Sequence, residues 1–254
     1  GCECKKLCIF EAEIVHFFMN NEAGDNITTN NANWSFSGKV SSQFDVHVSK
    51  SVPLYQEGHN LILKLSDYFL NEDSICYDLG SSTGTLLQKI SEHSSKNLRL
   101  VGIDEESDMI IEAKKKCSHI ANIEFIESGL IDFEYEKSDL ITSYYTMQFT
   151  AQKERQIIFD NIYNSLNWGG AFIFFEKVRA PDARFQDIMT GVYNDYKLDQ
   201  GYTPTEICNK SRSLKGVLEP FSVAGNKALL ERAGFVDYMS IMQYANFEGF
   251  LAIK

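Results

Sequence analysis

The sequence predicts an α/β protein built on a seven-stranded, mostly parallel sheet with helices on both faces. Three observations carry this expectation. Short, continuous apolar strands alternate with amphipathic helices, the pattern of strands buried on both sides. The first such strand, Ile75-Cys76-Tyr77-Asp78-Leu79, runs into the turn Gly80-Ser81-Ser82-Thr83-Gly84. The next, Leu98 to Ile103, stops at Asp104. That is about 20 residues past the turn, where a carboxylate accepts hydrogen bonds from ribose hydroxyls in nucleoside-binding sheets.

Residues 1–32 are expected to form an N-terminal extension ending in a polar loop, because Asn20 to Asn33 is rich in Asn, Thr and Gly with few apolar anchors. Residues 33–254 then form the ligand-binding domain. Leu61, Leu65, Tyr68 and Phe69 recur at helical spacing and predict a helix over 54–70. The strand at 75–79 is followed by a helix around 84–93, a strand at 98–103, a helix near 107–117 and a strand at 123–126. A strand at 139–144 leads to a helix at 151–166. Trp168-Gly169-Gly170 then turns the chain into the apolar strand Ala171 to Phe175. Residues 182–218 leave the alternation and read as a helical insertion that roofs the ligand crevice. A helix over 224–233 ends at Gly234, a C-cap position, and strands near 235–244 and 247–253 close the chain as a hairpin-like pair.

Composition narrows the function. With 24 basic and 35 acidic side chains the net charge is −11, which argues against a broad electrostatic footprint on nucleic acid. A small-molecule substrate is expected, with no direct nucleic-acid partner. No window approaches the roughly 18 uncharged apolar residues of a membrane span, and no signal-peptide pattern opens the sequence. Of the six cysteines, Cys76, Cys117 and Cys208 read as small buried hydrophobes, and Cys2, Cys4 and Cys8 lack a paired C-x-x-C. A cytoplasmic protein with reduced thiols and no metal site is the expectation.

Asp78-x-Gly80-x-x-x-Gly84 is the segment with the most chemical content. A dinucleotide fingerprint would place a second glycine where Ser82 stands. The turn therefore suits backbone contact to a ribose or carboxylate better than a pyrophosphate cradle, and favours S-adenosylmethionine (SAM) over NAD. Asp78, Gly80, Ser81, Ser82, Gly84 and Asp104 are the candidate cofactor residues. Tyr144 to Phe149 lies at the carboxyl end of the fourth strand, the rim where open α/β sheets bind ligands. Aromatic faces there would suit a sulfonium; Tyr144 is the preferred pocket residue, with Met147 and Phe149 assigned to core packing. Arg179, Arg184, Lys210 and Arg212 fall in or beside the insertion, where an arginine fork could clamp an anionic substrate. His47, His59, His93 and His119 are scattered and read as structural or exposed.

Several segments together resemble the carboxy-S-adenosylmethionine synthase family, proteins of the class I methyltransferase fold. They are Trp34-Ser35-Phe36, Ser51-Val52-Pro53-x-Tyr55, Tyr77-Asp78-Leu79-Gly80-x-Ser82-x-Gly84, Thr146-x-Gln148-Phe149, Asn167-x-Gly169-Gly170, Glu176-Lys177, Gly201-Tyr202 and Ala233-Gly234-Phe235. They run in the family's order over most of the chain. The resemblance implies an enzyme that converts SAM and prephenate into carboxy-SAM and phenylpyruvate, acting as a homodimer. It implies cofactor contacts at Tyr55, Gly80, Ser81, Ser82, Asp104, Gly129, Leu130 and Tyr144, and catalytic roles for Arg212 and Tyr144. The family holds the cofactor's extra carboxylate with an arginine after Gly-Tyr; Lys210-Ser211-Arg212-Ser213 shifts that arginine by one place. Gly129 stands at or near the family's acidic adenine contact, Tyr144 replaces its asparagine, and Ser81 its cysteine. An ordinary small-molecule methyltransferase and a non-catalytic SAM-binding module are the alternatives.

Overall fold

Strands β1 (Ile75–Leu79), β2 (Arg99–Asp104), β3 (Ile123–Glu127), β4 (Ser138–Tyr144), β5 (Leu166–Lys177), β6 (Asp237–Tyr244) and β7 (Phe247–Ile253) form one sheet in the order β3-β2-β1-β4-β5-β7-β6. The computed structural model describes residues 22–25, 27, 29–30, 32–36 and 39–254. Cys2, Cys4, Cys8 and most of the expected extension lie outside these residues. The five strands from β3 to β5 are parallel, and β7 runs antiparallel to both β5 and β6. This is the expected sheet, with the closing hairpin turned so that its second strand lies against β5.

The sequence of β5 shows why both faces are covered. Side chains alternate across a strand, and here both sets are apolar. Phe172 and Phe174 join one core cluster with Phe159, Phe235 and Phe250, while Ile173 and Phe175 join another with Leu140, Leu87 and Ile90. All four of these β5 side chains have no solvent exposure. Burying a phenylalanine of this kind stabilises by about 2–3 kcal/mol, so β5 is a strong anchor for the rim at its carboxyl end.

The helices are α1 (Lys39–Ser51), α2 (Tyr55–Phe69), α3 (Thr85–His93), α4 (Ser107–Lys116), α5 (Gln152–Ser165), α6 (Ala183–Asp199), α7 (Pro204–Ser213) and α8 (Val223–Ala233). Helices α6 and α7 fill the expected insertion, and their starts are specified locally. The Asp182 side chain caps α6 by accepting from Phe185 N, and Thr203 with Glu206 forms a capping box ahead of Pro204. Gly234 closes α8 at φ 116°.

The apolar positions of α2 are unequally buried. Tyr68 is 81% exposed, and Ile62 is the fully buried apolar side chain of that helix. Leu61, Leu65 and Phe69 only flank the core. Helical spacing gives the period of an apolar stripe but leaves its rotation about the axis open.

Among the described residues no helix is long and apolar enough to cross a membrane, and no group of three or more His, Cys, Asp or Glu side chains could hold a metal ion.

Candidate active site

The strand order reverses direction at β1, between β2 and β4, and ligands of open α/β sheets bind above that point. A cavity of about 760 Å³ opens there, lined by the turn after β1, the ends of β2, β4 and β5, helix α1 and the roof helices α6 and α7.

The turn after β1 forms its floor. Gly80 has φ 70°, and a Cβ placed on it would meet the Thr146 side chain at 2.2 Å, so only glycine lets the turn pass under the β4 rim. The Gly80 and Ser81 amides both donate to the Ile103 carbonyl, at 2.8 and 3.0 Å. Ser82 donates its amide to Asp104 Oδ2 at 2.8 Å, and Glu106 donates to Oδ1 at 3.0 Å. Both Asp104 oxygens are thereby oriented, with lone pairs left for ribose hydroxyls. Burial raises the Asp104 carboxyl, against these two amides. Asp78 is 2% exposed, accepts from Thr142 Oγ1 at 2.8 Å, and is pushed up to about 7 by burial.

Four observations test this end against SAM, and the residues fit. Among the described residues the buried Ser81 hydroxyl has no hydrogen-bond partner, leaving a polar atom available at the crevice. Asp104 lines the cavity beside that turn. Met109, Leu130 and Ile131 line the next stretch and provide an apolar slot for a base. Beside them, a Cβ on Gly129 would lie 3.6 Å from Asp132 Oδ2. Asp132 thus brings a carboxylate to the place where Gly129 has none, three residues later than motif alignment expected.

Gly84 belongs elsewhere. It does not line the cavity, and a Cβ there would meet Phe125 Cζ at 2.4 Å. Its missing side chain lets α3 pack against the sheet.

Aromatic rings form the middle of the cavity. Tyr144 lines it, with ring centroids 5.0 Å from Tyr55 and 4.5 Å from His59. Its hydroxyl donates to the Tyr55 carbonyl at 2.6 Å, and burial raises that phenol far above its usual range. Tyr144 is therefore a wall that holds the start of α2, and not a proton donor or acceptor. The chain turns sharply at Tyr145, whose φ is 62°. This breaks the strand alternation, so Met147 is buried in the core while Phe149 faces the cavity edge-on to Phe36 at 4.9 Å. The assignment of Phe149 to the core is corrected.

The far end is basic, and the arginine expected there is not in it. Arg212 is exposed and does not line the cavity; Arg184 likewise stays outside, with its guanidinium 5.2 Å from the Phe185 ring. Lys210 points inward instead. Helical residues turn by about 100° each, so two positions separate opposite faces of α7. Lys210 Nζ lies 2.5 Å from His47 Nε2, 2.8 Å from Ser51 Oγ and 5.0 Å from the Trp34 ring centroid. His47 Nδ1 lies 2.8 Å from Asp25 Oδ2. Burial, followed by the charge on Lys210, lowers the imidazole to about 4. It is neutral, with Nδ1–H donating to Asp25 and Nε2 accepting from Lys210. The Asp25 carboxylate also accepts from Lys50 at 2.6 Å and from the Tyr202 hydroxyl at 2.9 Å. His47 and His59 are thus cavity residues, which their scattered positions did not suggest. Arg179 reaches the rim of the cavity.

A turn-and-acid nucleoside crevice at the switch point of this sheet defines a SAM-binding protein of the class I methyltransferase fold. Residues 76–170 match the methyltransferase-domain family. Among solved structures, human N-acetylserotonin methyltransferase in complex with SAM superposes with a TM-score of 0.60 at 17% identity, covering 86% of this chain and 56% of that one. An O-methyltransferase family protein from Burkholderia thailandensis gives 0.61 at 15% identity, over 85% of this chain and 59% of the other. At these identities the likeness concerns the fold alone. The carboxy-S-adenosyl-L-methionine synthase of Staphylococcus epidermidis is 38% identical over 222 residues, 87% of this chain and 97% of that protein. The synthase of Campylobacter lari is 37% identical over the same length, 94% of its own chain. The chain belongs to the carboxy-S-adenosyl-L-methionine synthase family.

Proposed function

We propose that this enzyme makes carboxy-SAM and phenylpyruvate from SAM and prephenate. The observation that carries the reading is the half-buried Lys210 ammonium at the far end of a nucleoside crevice. A cation there repels a bare sulfonium and attracts a carboxylate attached to it. Asp104 and Asp132 would hold the ribose and adenine, the Ser81 and Ser82 segment the amino-acid end, and Tyr55 and Tyr144 the apolar wall beside the sulfonium. SAM supplies a methyl group made acidic by its sulfonium. On the donor, the ring–carboxylate bond breaks, its electron pair enters the aromatising ring and hydroxide leaves. The carbon dioxide bonds to the methyl carbon, and the proton displaced there departs with hydroxide as water. No protein base is needed, in keeping with the tied-up Tyr144 hydroxyl and the neutral, hydrogen-bonded His47. What the chain contributes is containment: aromatic walls and a roof that keep carbon dioxide beside its acceptor.

A second reading, methyl transfer to an anionic acceptor, is favoured by the exposure of Arg212. Incubation with SAM and prephenate followed by mass spectrometry separates the two. Carboxy-SAM and phenylpyruvate are expected; S-adenosylhomocysteine with a methylated acid in their place would overturn the synthase reading. A homodimer in the cytoplasm, without direct nucleic-acid contact, completes the proposal, and sedimentation of the purified chain tests its oligomeric part.

A further inference from the structure

Lys210 is not alone. Lys177 at the end of β5 and Lys197 on α6 line the same cavity. Their ammonium nitrogens each lie 4.4 Å from the centroid of the Tyr193 ring, and Lys177 also lies 5.7 Å from that of Phe247. Lys197 is 8% exposed. Among the described residues neither lysine forms an ion pair. The Tyr193 hydroxyl donates to the Ser51 carbonyl at 2.7 Å, and a neutral phenol supplies no counter-charge to either ammonium. The surrounding charges make matters worse: Lys197, Arg179 and Lys215 all act on Lys177, whereas the Asp25 carboxylate acts on Lys210. A buried cation without a counter-charge is destabilising. In a chain with 35 acidic residues, an acid-free pair of lysines facing a cavity marks a place for a ligand's anion.

We propose that Lys177 and Lys197, with the Tyr193 ring between them, form a second carboxylate seat separate from Lys210, so that the cavity selects donors bearing two carboxylates. One carboxylate is delivered toward the cofactor end, and the other stays at the Tyr193 seat and leaves with the keto-acid product. The assignment rests on the function proposed above, and it fixes which lysines read which end of the donor.

The test uses the full chain with Lys177→Met and Lys197→Met, and Arg212→Ala as an exposed control. Removing an unpaired buried charge should leave each variant folded with an unchanged or higher melting temperature. The KM for prephenate should rise by about tenfold or more, the range expected when one partner of a buried charge pair is lost. The kcat and the affinity for SAM should stay within about threefold, a shift too small to count as loss of an interaction. Phenylpyruvate, which carries only the retained carboxylate, should bind SAM-loaded wild type and the control by calorimetry and bind both Met variants more weakly by a similar factor; Lys197→Arg should restore part of it. Folded Met variants that bind phenylpyruvate like wild type would overturn the seat. If wild type makes no carboxy-SAM, the functional reading fails by itself; the calorimetry still decides the seat, with loss in the Met variants supporting it and absence of wild-type binding overturning it.

Discussion

Lys210 Nζ and His47 Nε2 lie 2.5 Å apart, so a neutral imidazole holds the ammonium that faces the reaction space. The Asp25 carboxylate behind the imidazole fixes its tautomer. Lys210 is thereby aimed without being neutralised, as a carboxylate partner would have neutralised it.

Lys210→Met should weaken binding of carboxy-SAM far more than binding of SAM, by about 10- to 100-fold for a lost charge-assisted contact. Arg212→Ala should leave both affinities unchanged. Calorimetry with the two nucleosides checks the pair of variants. Equal behaviour of the two would show that the inward face of α7 is not the reading face.

Asp104→Ala removes the acceptor that the Ser82 and Glu106 amides hold in place. Its affinity for SAM should fall by about 10- to 100-fold, a loss of about 1.5–3 kcal/mol. Asp132→Ala should produce a smaller loss, because its side chain is exposed at the rim. Direct titration with SAM measures both, and an unaffected Asp104→Ala protein would remove the ribose assignment.

Burial lowers Lys210 to about 7 and Lys177 and Lys197 to about 8. Each binds a carboxylate only when protonated, and a bound carboxylate raises its pKa, so binding takes up protons above about pH 7. Phenylpyruvate affinity should be greatest below pH 7 and fall by about tenfold per lysine neutralised as pH rises toward 9. The stability effect has the opposite sign: with folded values below the unfolded one, the destabilisation these lysines impose on the ligand-free protein is relieved as pH climbs from about 7 toward about 10. Calorimetry in buffers of different ionisation enthalpy should register the proton uptake. A flat profile would contradict it.

Gly80→Ala and Gly84→Ala should each destabilise by about 1–3 kcal/mol, since both positions have positive φ and their Cβ atoms would strike Thr146 and Phe125. Their ligand responses should differ. The rise in melting temperature caused by SAM should shrink in Gly80→Ala, whose turn lines the cavity, and persist in Gly84→Ala, whose clash lies between α3 and the sheet.

The strands β1 to β5, the turn after β1 and the acid Asp104 were legible in the sequence because each is set by residues a few positions apart. The errors have a common origin in rotation and distance. Lys210 and Arg212 are separated by two residues, and the one that faces inward depends on how α7 sits against α1, which periodicity does not reveal. On α2 the same freedom of rotation leaves Tyr68 outside and Ile62 inside. Phe149 changed sides because Tyr145 adopts a left-handed backbone that no local pattern announces. The Asp25–His47–Lys210 chain joins residues 22 and 163 positions apart, beyond any spacing rule.

Asp45 lies on α1, yet it accepts from Thr83 Oγ1 at 2.8 Å within the glycine turn, from Thr85 Oγ1 at 3.0 Å at the start of α3, and from Lys116 Nζ at the end of α4. One carboxylate therefore ties the cover of the cavity to the two helices beneath it. Moving α1 away on that side would break all three contacts together. A helix pinned at three points is a fixed wall and not a hinged one, and under the proposed reaction that rigidity would keep an escapable gas enclosed.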